Sequence, residues 1–453
     1  MTVLLPTKAT FAPGEPIEIE VRGPDTPDTV SLWRLDEQVA EVVVADGEHV
    51  ARFPPQREGG YGVRSLSGAH AALDVLADPL SRPRYGFVSH YEVGRDPAGV
   101  VENVRRLHLN AVQFYDWMYR HAELLPPDDE PDEFDDALGQ RISLATVRRI
   151  AAALSEAGSL PIGYAAVYAA GRDEWPAWSD DGLYRADGTP WTLGDDFLWN
   201  VDPTSERWLD HFGADLRAAQ GAVGFAGFHL DQYGAPKRAL RRDGSEVDLS
   251  RAFRALIDRL ARDVPGARLI FNNVNDFPVW TTAAASQDAV YIEVWAPHVR
   301  LGHLAELVAK ARLLAPDKGV ILAAYLSVYG EDEAAASAAE RLQLATVFSH
   351  GGTVLVHGEE GAALTEAYYV RHKTLGADSL EATRRYYDFA VRYGDLLFDR
   401  AAVDVTRTQI GGENLEIRVE APVPVATDCT AGALWARTFE TSLGRVVSLI
   451  DLS

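Results

Sequence analysis

The sequence contains very little cysteine, a deficit of basic residues and no long apolar run. Its 453 residues include one cysteine, Cys429, so no disulfide bond can form within the chain, which is compatible with a reducing compartment. No apolar stretch reaches the roughly 18 residues that a membrane-spanning helix needs. No basic region followed by an apolar run marks a signal peptide. We expect a cytoplasmic protein if Met1 is the native start, and a secreted one if a leader has been trimmed.

The charge balance is strongly acidic. Lysine and arginine number 43 against 67 aspartates and glutamates, which gives a formal net charge of −24. Nucleic acid and anionic membrane surfaces both require a basic face, so neither is an expected partner. A neutral substrate such as a carbohydrate fits this charge, although acidity serves solubility equally well. The oligomeric state is left unassigned.

Residues 1 to about 80 have the pattern of a small all-β domain. Short apolar or alternating runs are separated by glycine, proline and aspartate turns, which is typical of a β-sandwich. The runs are IEIEV (17–21), TVSLWRL (29–35), AEVVVA (40–45), HVARF (49–53) and AALDVL (71–76). The stretch ADPLSRPRYG then has the composition of a linker.

From about residue 81 to 400, short apolar runs alternate with helical patterns. Eight such units over some 270 residues predict a (β/α)₈ TIM barrel. An open doubly wound sheet is the rival fold, but no glycine-rich nucleotide loop follows any strand. We expect the long connection 169–224 to form a wall of the site. The eight runs are RYGFVSHY (84–91), LNAVQFY (109–115), LPIGYAAVY (160–168), FAGFHLD (225–231), RLIFNNV (268–274), AVYIEVW (289–295), GVILAAYL (319–326) and GTVLVHG (352–358).

Residues 401–453 return to a β pattern, through VDVTRTQI, LEIRVEA, ALWARTFE and RVVSLIDL. They predict a small carboxy-terminal β-domain that ends early. The expected fold class is therefore a multidomain α/β protein, in which a barrel is flanked by two β-domains.

Two acidic residues stand at the ends of predicted barrel strands, where the active sites of such barrels lie. Asp231 closes the fourth strand, and Glu293 lies within the apolar sixth. Carboxyl groups about 5–5.5 Å apart across a glycosidic bond support hydrolysis with retention, one as nucleophile and the other as general acid/base. We assign the nucleophile to Asp231 and the acid/base role to Glu293. The alternative is that both residues only cap the helices that follow.

Further polar and aromatic residues at the strand ends are candidate sugar ligands. Aromatic rings can stack on the apolar faces of sugars, although most buried aromatic residues belong to cores. Ordinary structural hydrogen bonding is the alternative for the polar residues. No HExxH or GxSxG motif is present, so neither a metal nor another cofactor is expected, and a serine hydrolase is disfavoured. The candidate ligands are His90, Tyr115, Asp116, Trp117, His229, Asn273, Trp295, His357 and Glu359.

Several segments together resemble glycoside hydrolase family 66, which contains endo-dextranases and cycloisomaltooligosaccharide glucanotransferases. They are RYGFVSHYE, LNAVQFYDWMYRH, FHLDQYG, FNNVNDF, YIEVWAPH, FSHGGTVLVHGEEG and RRYYDFAVRYGDLL. The resemblance implies an immunoglobulin-like amino-terminal domain and metal-free, retaining cleavage of α-1,6-glucosidic bonds in dextran or isomaltooligosaccharides. It places the nucleophile on Asp231, the acid/base on Glu293 and a sugar ligand beside the cleaved bond on Asp116.

The chain also departs from this family. Met118 stands where the family often has glutamine, and the chain has no room for the carbohydrate-binding domain inserted in cyclising members, so cyclisation is not expected. An α-glycosidase of short or differently linked oligosaccharides, and a dead barrel that only binds carbohydrate, remain alternatives.

Overall fold

The computed structural model describes residues 2–23, 28–127, 131–409 and 417–453. Its amino-terminal part consists of two antiparallel sheets packed face to face. One sheet contains Val3–Pro6, Ile17–Arg22 and Val50–Phe53, and the other contains Asp28–Arg34, Glu37–Val44, Gly59–Ser65 and His70–Val75. The sequence pattern missed the first and sixth of these strands. The immunoglobulin-like topology and the domain limits at residues 80 and 400 stay predictions.

Alternation of side chains creates the core of this sandwich. Ile17, Ile19 and Val21 are buried, while the glutamates between them lie closer to solvent. A strand with one apolar face must cover it, and here the second sheet does so. Arg84, at the start of the barrel, anchors the sandwich through hydrogen bonds of 2.8 and 3.0 Å to the buried carboxylate of Asp74.

The central sheet contains eight parallel strands, which we label from the first barrel strand. They are β1 (Tyr85–Val88), β2 (Ala111–Phe114), β3 (Leu160–Ala166), β4 (Gly227–Asp231), β5 (Arg268–Val274), β6 (Ala289–Glu293), β7 (Gly319–Ala323) and β8 (Thr353–Leu355). Each pairs in parallel with the next. After Val356 the chain continues as His357–Gly358, and Gly358 pairs in parallel with Phe87 of β1. The sheet therefore curls into a barrel-like core.

Helices follow the strands and cover the outside of this core. They are α1 (Ala98–Arg106), α2 (Leu144–Glu156), α3 (Glu206–Val223), α4 (Leu249–Asp263), α5 (Val279–Thr282), α6 (Leu301–Leu314), α7 (Glu333–Ser349) and α8 (Ala377–Arg392). In α4, Phe253, Leu256 and Leu260 recur at spacings of three and four and are buried. Its N-cap is Asp248, whose carboxylate accepts from the N–H of Ser250 at 3.0 Å. Across the described ranges, no helix is long and apolar enough to cross a membrane.

The connection between β3 and α3 forms a small antiparallel sheet and a helical turn, not one plain helix. Ala169–Gly171, Thr192–Leu193 and Leu198–Asn200 form an antiparallel sheet, and Trp175–Trp178 adds a helical turn. Two further hairpins lie in the loops after β2 and β4. Their strands are Glu133–Asp135 with Arg141–Ser143, and Arg238–Leu240 with Glu246–Asp248.

The carboxy-terminal sheet differs from its predicted strands. Its strands are Val403–Asp404, Val425–Ala426, Leu434–Thr441 and Gly444–Asp451. In the run VDVTRTQI, residues 403–404 form a strand and residue 410 lies outside the described residues. Asp404 accepts from the N–H of Thr406 at 2.9 Å, and the chain turns into the helix Thr406–Gln409. In the predicted strand LEIRVEA, residues 415–416 lie outside the described residues, and 417–421 form no strand.

Candidate active site

A cavity of about 330 Å³ opens at the carboxyl ends of the barrel strands. Asp231 ends β4 and Glu293 ends β6, and both side chains line this cavity. The cavity wall is mainly aromatic and apolar, with a few polar groups. Other lining residues include Tyr115, Asp116, His121, Tyr164, Leu193, Phe197, His229, Asn272, Trp295, Tyr325 and Tyr369.

Asn272, on β5 between the two acids, bridges their carboxylates. Its Nδ2 donates to Asp231 Oδ1 at 2.7 Å and to Glu293 Oε2 at 3.1 Å. Because both oxygens share one nitrogen, they lie within about 6 Å of each other. This separation is compatible with the shorter of the two spacings used by glycosidases, in which one carboxylate attacks the sugar directly.

Each carboxylate also accepts a hydrogen bond from a tyrosine hydroxyl. The hydroxyl of Tyr164 donates to Asp231 Oδ2 at 2.7 Å, and that of Tyr325 donates to Glu293 Oε1 at 2.9 Å. No cationic side chain among the described residues forms an ion pair with either acid. The pair is therefore held entirely by neutral groups.

This surrounding raises the proton affinity of both acids. Burial, followed by repulsion from Glu293, raises the pKa of Asp231 to about 7. Burial also raises the pKa of Glu293 above its ordinary value. Two close carboxyl groups of this kind release their protons in separate steps, so the pair retains one proton near neutral pH. One member can then act as an acid while the other is ionised.

Asp116 is a third carboxyl group that lines the cavity. It lies just after β2 with a positive φ of 45°, a strained conformation that is common in functional loops. Burial, followed by repulsion from Asp136 and Asp231, raises the pKa of Asp116 well above its ordinary value. A protonated Asp116 could donate a hydrogen bond as well as accept one.

Three other predicted ligands also line the cavity. Tyr115 stacks on Tyr369 with ring centroids 4.3 Å apart, and Trp295, 42% exposed, lies at the rim beside Tyr325. His229 is buried, which lowers its pKa to about 3 and keeps its ring neutral. These residues supply stacking surfaces and uncharged polar groups.

The structure places Trp117 and Asn273 outside the cavity, contrary to expectation. Trp117 is fully buried and its indole N–H donates to the carbonyl of Tyr164 at 3.0 Å, so it belongs to the core. Asn273 follows Asn272 on β5 and therefore points to the opposite face. There its Nδ2 donates to the carbonyl of Tyr291 at 2.8 Å, and its Oδ1 accepts from Thr282 at 2.5 Å.

The expected ligands at the ends of β1 and β8 also lie outside the cavity lining. His357 is buried against Glu340 of α7. Glu359 is buried, pairs with Arg95 and accepts from the backbone N–H of His90 at 3.1 Å, which joins the ends of these strands. The His90 side chain is partly exposed and does not line the cavity. Glu340 and Glu359 are thus structural, because their carboxylates are hydrogen-bonded to residues of neighbouring elements.

Tyr164, Asn272 and Tyr325 line the cavity but were not predicted from the sequence as site residues. All three lie in or directly after apolar strand runs, so a polar group in such a run was the available signal. Which of two neighbours faces inward depends on strand register, in which Asn272 pairs with Tyr291 and Val274 with Glu293. Within the described residues, no group of three or more His, Cys, Asp or Glu side chains could hold a metal ion.

Comparison with known proteins finds a matching family and two related sequences. The model of a family described as glycosyl hydrolase family 66 matches residues 6–453. Two cycloisomaltooligosaccharide glucanotransferases of Niallia circulans are 26% and 25% identical over 324 and 292 residues. These matches cover 65% and 59% of this chain but 33% and 30% of those proteins. The chain thus spans about a third of the length of these curated relatives.

Solved structures share the fold. A cycloisomaltooligosaccharide glucanotransferase of Paenibacillus sp., complexed with cycloisomaltoheptaose, has a TM-score of 0.86 at 18% identity and covers all of this chain and 89% of that one. The maltogenic α-amylase AmyB of Thermotoga neapolitana reaches 0.51 at 12% identity, over 82% of this chain and 86% of that one. At these identities the likeness concerns the fold.

Proposed function

The chain belongs to glycosyl hydrolase family 66, and on that premise we propose that it is an enzyme that cleaves α-1,6-glucosidic linkages with retention of configuration. Asp231 is the nucleophile and Glu293 the general acid/base. The substrate is an α-1,6-linked glucan or its oligosaccharides, cleaved at internal bonds.

One observation carries this proposal: the Asp231 and Glu293 carboxylates face the same cavity and share the amide nitrogen of Asn272. An inverting enzyme needs room for a water molecule between the acid and the sugar, with carboxyl groups about 6.5–9.5 Å apart. The two bridged oxygens lie no more than about 6 Å apart, which is compatible with direct attack by Asp231. Helix capping does not account for two acids that converge on one amide.

The shared proton fits the first step. Asp231 attacks the anomeric carbon as the Glu293 carboxyl passes its proton to the leaving oxygen, and the glycosidic bond breaks. Glu293, now ionised, removes a proton from water in the second step, and that water releases the sugar from Asp231. This step needs the proton on Glu293, and burial raises the pKa of Glu293 in that direction.

The substrate class follows from the relatives and from the cavity. Both curated relatives are named for isomaltooligosaccharides, and the Paenibacillus enzyme was solved with cycloisomaltoheptaose. The wall contains Tyr115 and Trp295, whose rings could stack on sugar faces, and Asp116, which could bind hydroxyl groups.

The first experiment is to incubate the protein with dextran and with isomaltooligosaccharides of graded length, and to separate the products by chromatography. Proton NMR of the earliest products identifies the anomer that is released. We expect short α-1,6-linked products, released first as the α-anomer.

Each other outcome changes a particular part of the proposal. Release of the β-anomer would contradict retention and the nucleophile. Turnover of only short substrates would retain the mechanism but replace the polymer as substrate. Binding of these glycans without any turnover would support a barrel that only binds carbohydrate.

A further inference from the structure

Asn272 is the one described residue whose side chain hydrogen-bonds both catalytic carboxylates. It lies two residues before the end of β5, with its side chain in the cavity. Tyr164 reaches Asp231 alone, and Tyr325 reaches Glu293 alone. Loss of a tyrosine hydroxyl therefore affects one acid, whereas loss of the Asn272 amide affects both and their separation.

The orientation of this amide is determined by its surroundings. The ionised member of the pair only accepts hydrogen bonds, so the amide presents its donor end, the nitrogen, to the two acids. The opposite end of the amide, Oδ1, is buried without a hydrogen-bond partner among the described residues. A buried, unpaired acceptor is unfavourable, and the two hydrogen bonds to acidic groups offset that cost.

The proposed reaction moves one negative charge between these two acceptors. Before the first step Asp231 is ionised and Glu293 carries the proton. When the bond from Asp231 to the anomeric carbon forms, the proton of Glu293 leaves with the departing oxygen and Glu293 becomes ionised. Attack by water then returns a proton to Glu293 and the charge to Asp231. The total charge of the pair is the same in each state.

We propose that Asn272 is a positioning residue that holds the two carboxylates at the distance of a direct displacement and stabilises the charge on whichever of them is ionised. Its two N–H groups already point at both acceptors, so neither step requires the amide to rotate. This inference rests on the proposed function of Asp231 and Glu293. A preorganised donor of this kind contributes most where charge develops during the reaction.

The test compares Asn272→Ala and Asn272→Ser with Tyr164→Phe and Tyr325→Phe. The probe is an aryl α-isomaltoside, for which burst kinetics separate formation of the glycosyl-enzyme from its hydrolysis. We expect Asn272→Ala to slow both steps about 100-fold, by analogy with loss of one oxyanion donor. Serine has one donor of shorter reach, so it should retain more of both rates. A loss confined to one step in Asn272→Ala would contradict the proposal.

The pH profile separates positioning from a structural role. Removing a hydrogen bond to an ionised carboxylate raises its pKa. Both limbs of the profile should therefore move to higher pH in the Asn272 variants, whereas each tyrosine variant should move one limb more than the other. Reduced rates with unmoved limbs, in a variant that melts like the wild type, would overturn the proposal and leave only a structural role.

A titration without substrate keeps this test distinct from the test of the function. Carbon-13 NMR of labelled aspartate and glutamate side chains, with Asp231→Asn and Glu293→Gln for assignment, reports the pair in wild type and Asn272→Ser. Upward movement of both titrations supports the role of Asn272 even if none of the chosen glycans is cleaved. Unchanged titrations in an active enzyme reject Asn272 while retaining Asp231 and Glu293.

Discussion

The partly buried pair Asp231 and Glu293 and the fully buried Glu340 have different neighbours. Asp231 and Glu293 face the cavity, surrounded by neutral donors and by each other. Glu340 lies on α7, outside the cavity, and contacts His357, the Tyr329 hydroxyl and Thr383. Burial opposes ionisation at Glu340 too, but the interaction with His357 and the hydrogen bonds outweigh it and lower its pKa.

The difference indicates how a structural acid is distinguished from one available for chemistry. A buried carboxylate beside a cation is stabilised as an anion and has no tendency to exchange its proton near neutral pH. A buried carboxylate beside another carboxylate retains a proton that it can give away. Four predictions test this comparison, from the largest expected effect to the smallest.

Asp231→Asn should lower turnover by about 10⁴-fold or more, because the amide cannot attack the anomeric carbon. The measurement is the initial rate on an isomaltooligosaccharide, together with binding of the same ligand by calorimetry, which should persist. Asp215→Asn is the matched control, since burial raises the pKa of Asp215 to about 6 although it lies outside the cavity lining. Substantial activity in Asp231→Asn would move the nucleophile elsewhere.

Glu293→Gln should slow cleavage of natural linkages by about 10²–10⁴-fold, because the leaving oxygen no longer receives a proton. An activated aryl glycoside needs little protonation, so its first step should fall by far less. The substitution also removes the charge that repels ionised Asp231. The acid limb of the pH profile should then move to lower pH. Equal losses on both substrates would contradict the role of Glu293 as acid.

The sequence alone was sufficient to predict the two central carboxylates. Asp231 and Glu293 were found because a carboxylate that closes an apolar run is costly without a use, and because strand ends in a barrel converge at one face. That reasoning needs only the order of strands. It holds even though the long connection after β3 and the carboxy-terminal sheet were only partly predicted.

The remaining site residues could not be predicted in this way, because the sequence does not show in which direction a side chain points. Asn272 and Asn273 are adjacent, and one step of strand register decides which of them enters the cavity. Trp117 follows Asp116 in a strained loop that turns the indole into the core. The acids at the ends of barrel strands share one sequence pattern, and only their neighbours in space, such as Arg95 beside Glu359, distinguish them.

Glu340→Gln should lower the free energy of unfolding by about 3 kcal/mol, because it removes a buried carboxylate that is hydrogen-bonded to His357, Tyr329 and Thr383. Urea denaturation gives this value, and the turnover number of the folded enzyme should stay within about twofold. Glu381→Gln, which affects a surface pair with Arg384, should change stability by less than about 1 kcal/mol. Lost turnover in a stable Glu340→Gln protein would place Glu340 with the functional acids.

The smallest effect concerns stability against pH. The pKa of Asp231 is raised to about 7 in the folded protein, above its value in the unfolded chain. Its contribution to stability is therefore present at low pH and is lost as pH rises toward 7. Asp231→Asn removes this dependence, so its unfolding free energy relative to wild type should increase by about 1–2 kcal/mol between pH 6 and pH 8. Urea denaturation at both pH values measures it, with Asn272→Ser expected to enlarge the dependence by weakening the bridge. A difference in unfolding free energy between Asp231→Asn and wild type that stays constant over this range would contradict a raised pKa of Asp231.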